Sequence, residues 1–192
     1  MRPNLAAVPA PPTAQGVAGF PEHVDPLLTL ARARSLTKRE QLRRITLVGV
    51  GSDGTVDIGQ PHASIRYEFD SAAGEGPEAP RPAGTVRAVH HCGRQAVQVK
   101  SDGIVVEPDQ PKAACRPSAG EALPHPRCGP RELWSLALQR GAVADGRATL
   151  EYYRAQEGPA WRFSLANPRV SFTMYGDCEH ELHGDSGRPL GP

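Results

Sequence analysis

Net charge and aromatic side chains are both scarce in this chain of 192 residues. It carries 22 Lys and Arg against 21 Asp and Glu, a formal charge of +1. No long-range field is therefore present to gather nucleic acid or an anionic membrane, and bulk electrostatics argue against both as partners. Aromatic residues make up 5% of the chain, which implies a modest core and few platforms for base stacking. No apolar run approaches the roughly 20 residues of a membrane span, and residues 1–20 lack the continuous apolar stretch of a signal peptide. A membrane enters this reading only through an anchor upstream of Met1. A Walker loop, a dinucleotide fingerprint, HExxH and GxSxG are all missing, so no cofactor is expected. The GxG within residues 49–54 continues as a strand pattern, whereas a phosphate cradle needs a helix N-terminus. There is no CxxC pair either, which argues against a zinc ribbon or a dithiol redox motif.

What the chain does contain is four separated cysteines, Cys92, Cys115, Cys128 and Cys178, among 20 Gly and 20 Pro. An even set in a loop-rich chain predicts two structural disulfides in an oxidising compartment. Of the three connectivities, Cys92–Cys115 with Cys128–Cys178 suits the element order best. In the chain-entropy treatment these bridges contribute roughly 3.5 and roughly 4 kcal/mol. Residues 6–19 (AAVPAPPTAQGVAG) read as the Pro/Ala-rich linker that follows an anchor. The expected location is periplasmic or extracellular; the alternative is cytoplasmic, with the thiols reduced.

Along the chain, residues 1–24 read as a disordered linker, 25–178 as an α+β domain and 179–192 as a disordered polar tail. Asp25 can cap a helix over 25–39, with Pro26 at its first position and Leu27, Leu28, Leu30 and Ala31 on one face. The basic cluster Arg32, Arg34, Lys38, Arg39, Arg43 and Arg44 is read as a solvated face. From Ile45 the apolar period becomes two. Asp53-Gly54 and Asp102-Gly103 each follow a serine and predict hairpin turns. Ile65, Tyr67 and Phe69 share one side of a strand, and strands are expected again at 85–91, 96–100 and 104–106. Residues 72–84 and 108–130 read as loops. A second helix spans 130–140, with Leu133, Trp134, Leu136, Ala137 and Leu138 on a broad face and Gly141 as its stop. Three alternating strands follow, around Leu150, Phe163 and Phe172. The predicted fold is α+β: two helices packed on antiparallel sheet, as two helix-plus-meander units over 25–107 and 128–178.

The unit over 130–178 (RELWSLALQRGAVADGRATLEYYRAQEGPAWRFSLANPRVSFTMYGDC within it) resembles PepSY-like extracytoplasmic domains in its helix-then-strands order. That resemblance implies a non-catalytic module that acts by binding.

Three constellations invite chemistry. Gly184 to Leu190 (GDSGRPL) resembles the nucleophile loop of chymotrypsin-like proteases, and the histidines at 90 and 91 weakly match that family's histidine motif. Arg188 stands where that family has Gly, and no aspartate has a triad context, so proteolysis is not expected. Cys178, His180 and His183, joined by His90 and His91, have residue types and spacing that suit a metal. The acids Glu68, Asp70, Glu107, Asp109 and Glu151 fall mostly on solvent faces of strands, and Trp134 and Trp161 on apolar faces that predict core packing. The expected role is a non-catalytic extracytoplasmic binding or sensory module, stapled by two disulfides. Its unknown protein or small-molecule ligand would meet a sheet edge, the 72–84 loop or the groove between the two units. The alternatives are a metal-binding protein or metal-dependent enzyme using Cys178, His180 and His183, and a scaffold subunit docking by its Pro-rich N-terminus.

Overall fold

A computed structural model describes residues 17, 19–37, 39, 41–70, 93–111 and 122–182. The helices are α1 (Pro26–Thr37) and α2 (Pro130–Gln139). The strands are β1 (Gln41–Val50), β2 (Ser64–Asp70), β3 (Gly93–Lys100), β4 (Gly103–Val106), β5 (Gln110–Pro111), β6 (Ala148–Ala155), β7 (Gly158–Leu165) and β8 (Val170–Tyr175). They form one sheet in the order β4-β3-β2-β1-β6-β7-β8, with the two-residue β5 also pairing β3. Every pairing between these strands is antiparallel.

This corrects the α+β expectation. The chain is mainly β: its helices hold 12 and 10 residues, and the two meanders are halves of a single sheet. The reason lies in β1, which pairs β2 on one side and β6 on the other, so that Leu47 faces both Ile65 and Leu150. Alternation reveals which side of a strand is buried, but not which strands adjoin. A strand in mid-sheet also satisfies its backbone groups from both sides, which two separate meanders would have left to water.

One face of the sheet is the core. Leu42, Ile45 and Leu47 of β1, Ile65, Tyr67 and Phe69 of β2, and Trp161 and Phe163 of β7 are all buried. Each such side chain stabilises the fold by roughly 1.5–3 kcal/mol through lost water contact. Between them alternate Arg66 and Glu68 on β2, Glu151 on β6 and Arg162 on β7, only partly covered. That opposite face is laced by ion pairs, among them Arg66 with Glu68 and Glu107, and Arg44 with Glu151.

The Asp25 carboxylate starts α1 by accepting the N–H groups of Leu27 (2.8 Å) and Leu28 (3.0 Å). Its buried stripe is Pro26, Thr29, Leu30, Ala33 and Thr37, while Leu28 is 67% exposed. The face anticipated from the leucines is thus rotated. Thr29 and Thr37 can be buried because their hydroxyls donate to the carbonyls of Asp25 (2.7 Å) and Ala33 (3.2 Å). α2 keeps the anticipated start and stop. Leu133, Trp134 and Ala137 are buried, and Leu138 is exposed. Gly141 lies at φ +89°, and the N–H groups of Gly141 and Ala142 return to Leu138 and Ala137 in a Schellman closure.

The turn at 101–103 closes the β3–β4 hairpin, with Lys100 opposite Gly103. Its counterpart at 52–54 closes only an isolated bridge, Val50 to Val56, and Val56 also bridges Val24. Val24 is fully buried there, at the end of the segment read as linker. At the other terminus, Glu181 bridges Met174 and the Leu182 N–H donates to the Thr173 carbonyl (2.8 Å), so residues 181 and 182 lie along the β8 edge. No helix among the described residues is long and apolar enough to cross a membrane.

Candidate ligand clefts beside a disulfide

Cys128, two residues before α2, is bonded to Cys178, three residues after β8, with Cα atoms 5.7 Å apart. This spacing falls within the range a disulfide needs. Local structure brings the two together. The Cys128 N–H donates to the Gly176 carbonyl (3.2 Å), the Cys178 N–H to the Tyr175 carbonyl (2.9 Å), and the buried Trp161 indole N–H to the Cys128 carbonyl (3.1 Å). Cys178 takes φ +61°, the left-handed region, which turns the chain sharply after β8. Cys128 is buried at 3% exposure, so the bridge is part of the core as well as a link between loops.

Two clefts flank this region, and Arg127 lines both. The first, of about 350 Å³, lies where the N-termini of α1 and α2 meet the 52–55 turn. Its carboxylates are committed to local structure: Asp25 caps α1, Glu132 accepts the Gly129 N–H (2.9 Å), and Asp53 accepts the Thr55 N–H (3.0 Å) and hydroxyl (2.8 Å). Partial burial opposes ionisation of Asp53, but the Thr55 hydrogen bonds outweigh it and hold the carboxyl below its ordinary range. Gly54, at φ +83°, packs so close to α2 that a Cβ there would sit 2.8 Å from the Arg131 nitrogen. The turn therefore closes over that helix end.

The second cleft, of about 230 Å³, is lined by Pro124, His125, Arg127, Tyr152, Pro159, Tyr175, Gly176 and Asp177. Its base is set by Tyr152, whose hydroxyl donates to the Pro124 carbonyl (3.3 Å) and whose pKa is pushed up to about 12 by burial. It therefore remains a neutral donor at any physiological pH. His125 Nδ1 lies 3.0 Å from the Pro126 carbonyl, which can only accept, so this contact needs the proton on Nδ1. Tyr175 donates its hydroxyl to Glu157, which together with burial raises its pKa. Arg127 makes no hydrogen bond or ion pair with any described residue.

The residues singled out in the sequence are distributed unevenly. Cys178 is spent in the bridge and offers no thiolate to a metal. His180 lies 3.9 Å from Asp177, and the ligand atoms of Asp177, Glu179 and His180 fall within 4.8 Å of one another, all exposed. Cys92, Cys115, His90, His91 and His183 lie outside the described residues, as do the GDSGRPL stretch, the 72–84 loop and the strand expected at 85–91. The acids considered for hydrolysis are paired: Glu68 and Glu107 with Arg66, Asp70 with Arg43 and Arg94, Asp109 with Arg39, and Glu151 with Arg44 and Arg162. Those same pairs occupy Arg39, Arg43 and Arg44 of the basic cluster, and Arg43 and Arg44 stand on β1 instead of a helix. Trp134 and Trp161 are fully buried core residues. Sequence reasoning missed Arg127, His125 and Asp177. The available signal was the motif Pro124-His125-Pro126-Arg127-Cys128, an irregular stretch fixed at one end by a cysteine.

No family model matches this chain, nor does any curated protein or solved structure.

Proposed function

We propose that this chain is a non-catalytic binding module of an extracytoplasmic compartment, presenting a ligand site on a disulfide-stapled β-sheet. The observation that carries the reading is the position of the Cys128–Cys178 bridge: it ties together the two loops, 122–129 and 176–182, that supply one wall of the 230 Å³ cleft. A covalent link at that point removes loop freedom that ligand binding would otherwise have to restrict. A bridge of this kind persists in an oxidising compartment and is uncommon in a reducing one. The order of α2 followed by β6, β7 and β8 is also the arrangement on which the likeness to PepSY-like domains rests.

The test traps thiols in the living cell, purifies the protein, and follows its thermal unfolding with and without the low-molecular-weight contents of its own compartment. The reading predicts that Cys128 and Cys178 resist alkylation and that the small-molecule fraction raises the unfolding midpoint by mass action. Alkylated Cys128 and Cys178, or a midpoint indifferent to that fraction, would count against it.

A further inference from the structure

The 230 Å³ cleft holds two opposite charges that do not neutralise each other. Arg127 has no partner among the described residues, and Asp177 lines the same cleft without forming an ion pair with it. Elsewhere on this protein, acids and arginines within reach have paired, as Arg66 has with Glu107 and Arg94 with Asp70. The Asp177 carboxylate is only lightly engaged: one oxygen accepts the Glu179 N–H (3.1 Å), and the other lies 3.9 Å from the His180 ring. The same cleft is also lined by the apolar and aromatic surfaces of Pro124, Pro159, Tyr152 and Tyr175. At roughly 30 Å³ per water, the space equals about eight water molecules, smaller than a drug-sized pocket and suited to a compact ligand.

We infer that this cleft binds a small zwitterion of the α-amino-acid kind, its carboxylate on Arg127, its ammonium on Asp177 and its side chain against the Tyr and Pro surfaces. This rests on the binding-module reading and names its ligand class. A planar guanidinium takes a carboxylate in a two-pronged contact, and such charge-assisted bonds are the stronger kind. A ring on the ligand gains further from edge or offset contact with Tyr175. Gly176 keeps the base of the cleft clear, since a Cβ there would stand 3.2 Å from the Tyr152 ring edge and hydroxyl.

The experiment uses the oxidised full chain and three probes: L-phenylalanine, N-acetyl-L-phenylalanine and L-phenylalaninamide. Binding is read from amide chemical shifts of Cys128, Gly176 and Asp177. Phenylalanine should give saturable shifts, and each masked form should bind at least about tenfold more weakly, because one charged contact is lost. In Arg127→Gln the free amino acid should weaken by about the same factor while phenylalaninamide is unaffected. Asp177→Asn should do the converse, sparing N-acetylphenylalanine. Unchanged shifts outside the cleft would confirm that both variants fold. Equal binding of all three probes, indifference to Arg127→Gln, or no saturable shift with phenylalanine would overturn the inference. A null result of that kind alongside a small-molecule fraction that still raises the unfolding midpoint would remove this ligand class and leave the binding module standing.

Discussion

The two flanks of the sheet solve the same packing problem by different means. On the β2-β3-β4 flank, α1 is held by one buried phenol, Tyr67, whose hydroxyl donates to the Pro26 carbonyl (2.6 Å). On the β6-β7-β8 flank, α2 is held by rings. Trp134 meets Phe163 edge-on at 5.3 Å, Phe163 stacks on Phe172 at 5.0 Å, and Trp161 lies against Tyr152 at 4.9 Å. The Trp134 indole N–H also reaches across to the Val50 carbonyl (3.2 Å), fixing α2 to the end of β1. Both flanks engage arginines in ion pairs, Arg43, Arg66 and Arg94 on the first and Arg140 and Arg162 on the second, but the second also holds Arg127 without an ion pair to any described residue beside the covalent bridge. A flank stiffened by rings and a disulfide can hold its loops in place without using that arginine, and it is this flank that carries the 230 Å³ cleft.

Four changes would break or sharpen this contrast. The largest is loss of the bridge. Replacing Cys128 and Cys178 by Ala should destabilise the protein by about 4 kcal/mol on the chain-entropy estimate for a loop of 50 residues, measured by urea unfolding. Trp134→Phe should come next, at about 1–3 kcal/mol, because the Val50 carbonyl loses its indole donor and the smaller ring leaves a void. Tyr67→Phe on the other flank should cost only about 1 kcal/mol, since it removes one hydrogen bond and leaves the ring in place. A larger loss there than at Trp134 would reverse the proposed asymmetry.

The smallest effect is one of pH. The Arg66 guanidinium, bonded to Glu107 at 2.9 Å, holds that carboxyl below its ordinary range against a smaller opposing effect of burial. A carboxylate whose folded pKa is depressed stabilises the fold above its unfolded pKa, near 4.3, and loses that contribution as pH falls through the folded value. Because the pair is partly exposed, the effect should stay below about 1 kcal/mol. Glu107→Gln should flatten this part of the acid limb in pH-dependent unfolding, with no change near pH 7 in its slope.

Much of this architecture was legible because some residues act locally. Asp25 before Pro26, Pro130 with Gly141, and Ser101-Asp102-Gly103 each fix a cap or turn within a few residues, and each appears where the sequence placed it. What was not legible is set at long range. The β1–β6 pairing joins residues about a hundred positions apart, and nothing in either strand's alternation specifies the neighbour. The stripe of α1 was misjudged because Thr29 and Thr37 count as polar in sequence but become buriable once their hydroxyls bond the preceding turn. The Cys128–Cys178 link could be read from element order, but the cleft beside it could not. Arg127, Tyr175 and Asp177 come from two loops and a strand end, and no period or spacing relates them.

The account depends on the bridge holding the cleft wall in place, and hydrogen exchange of the intact and reduced protein tests this most directly. Reduction should speed exchange at Cys128, Tyr175, Cys178 and Leu182, whose N–H groups bond Gly176, His180, Tyr175 and Thr173, far more than at Ile45 and Tyr67 in mid-sheet. If all of these amides accelerate by one common factor, or none does, the bridge does not act locally on the cleft and the account is wrong.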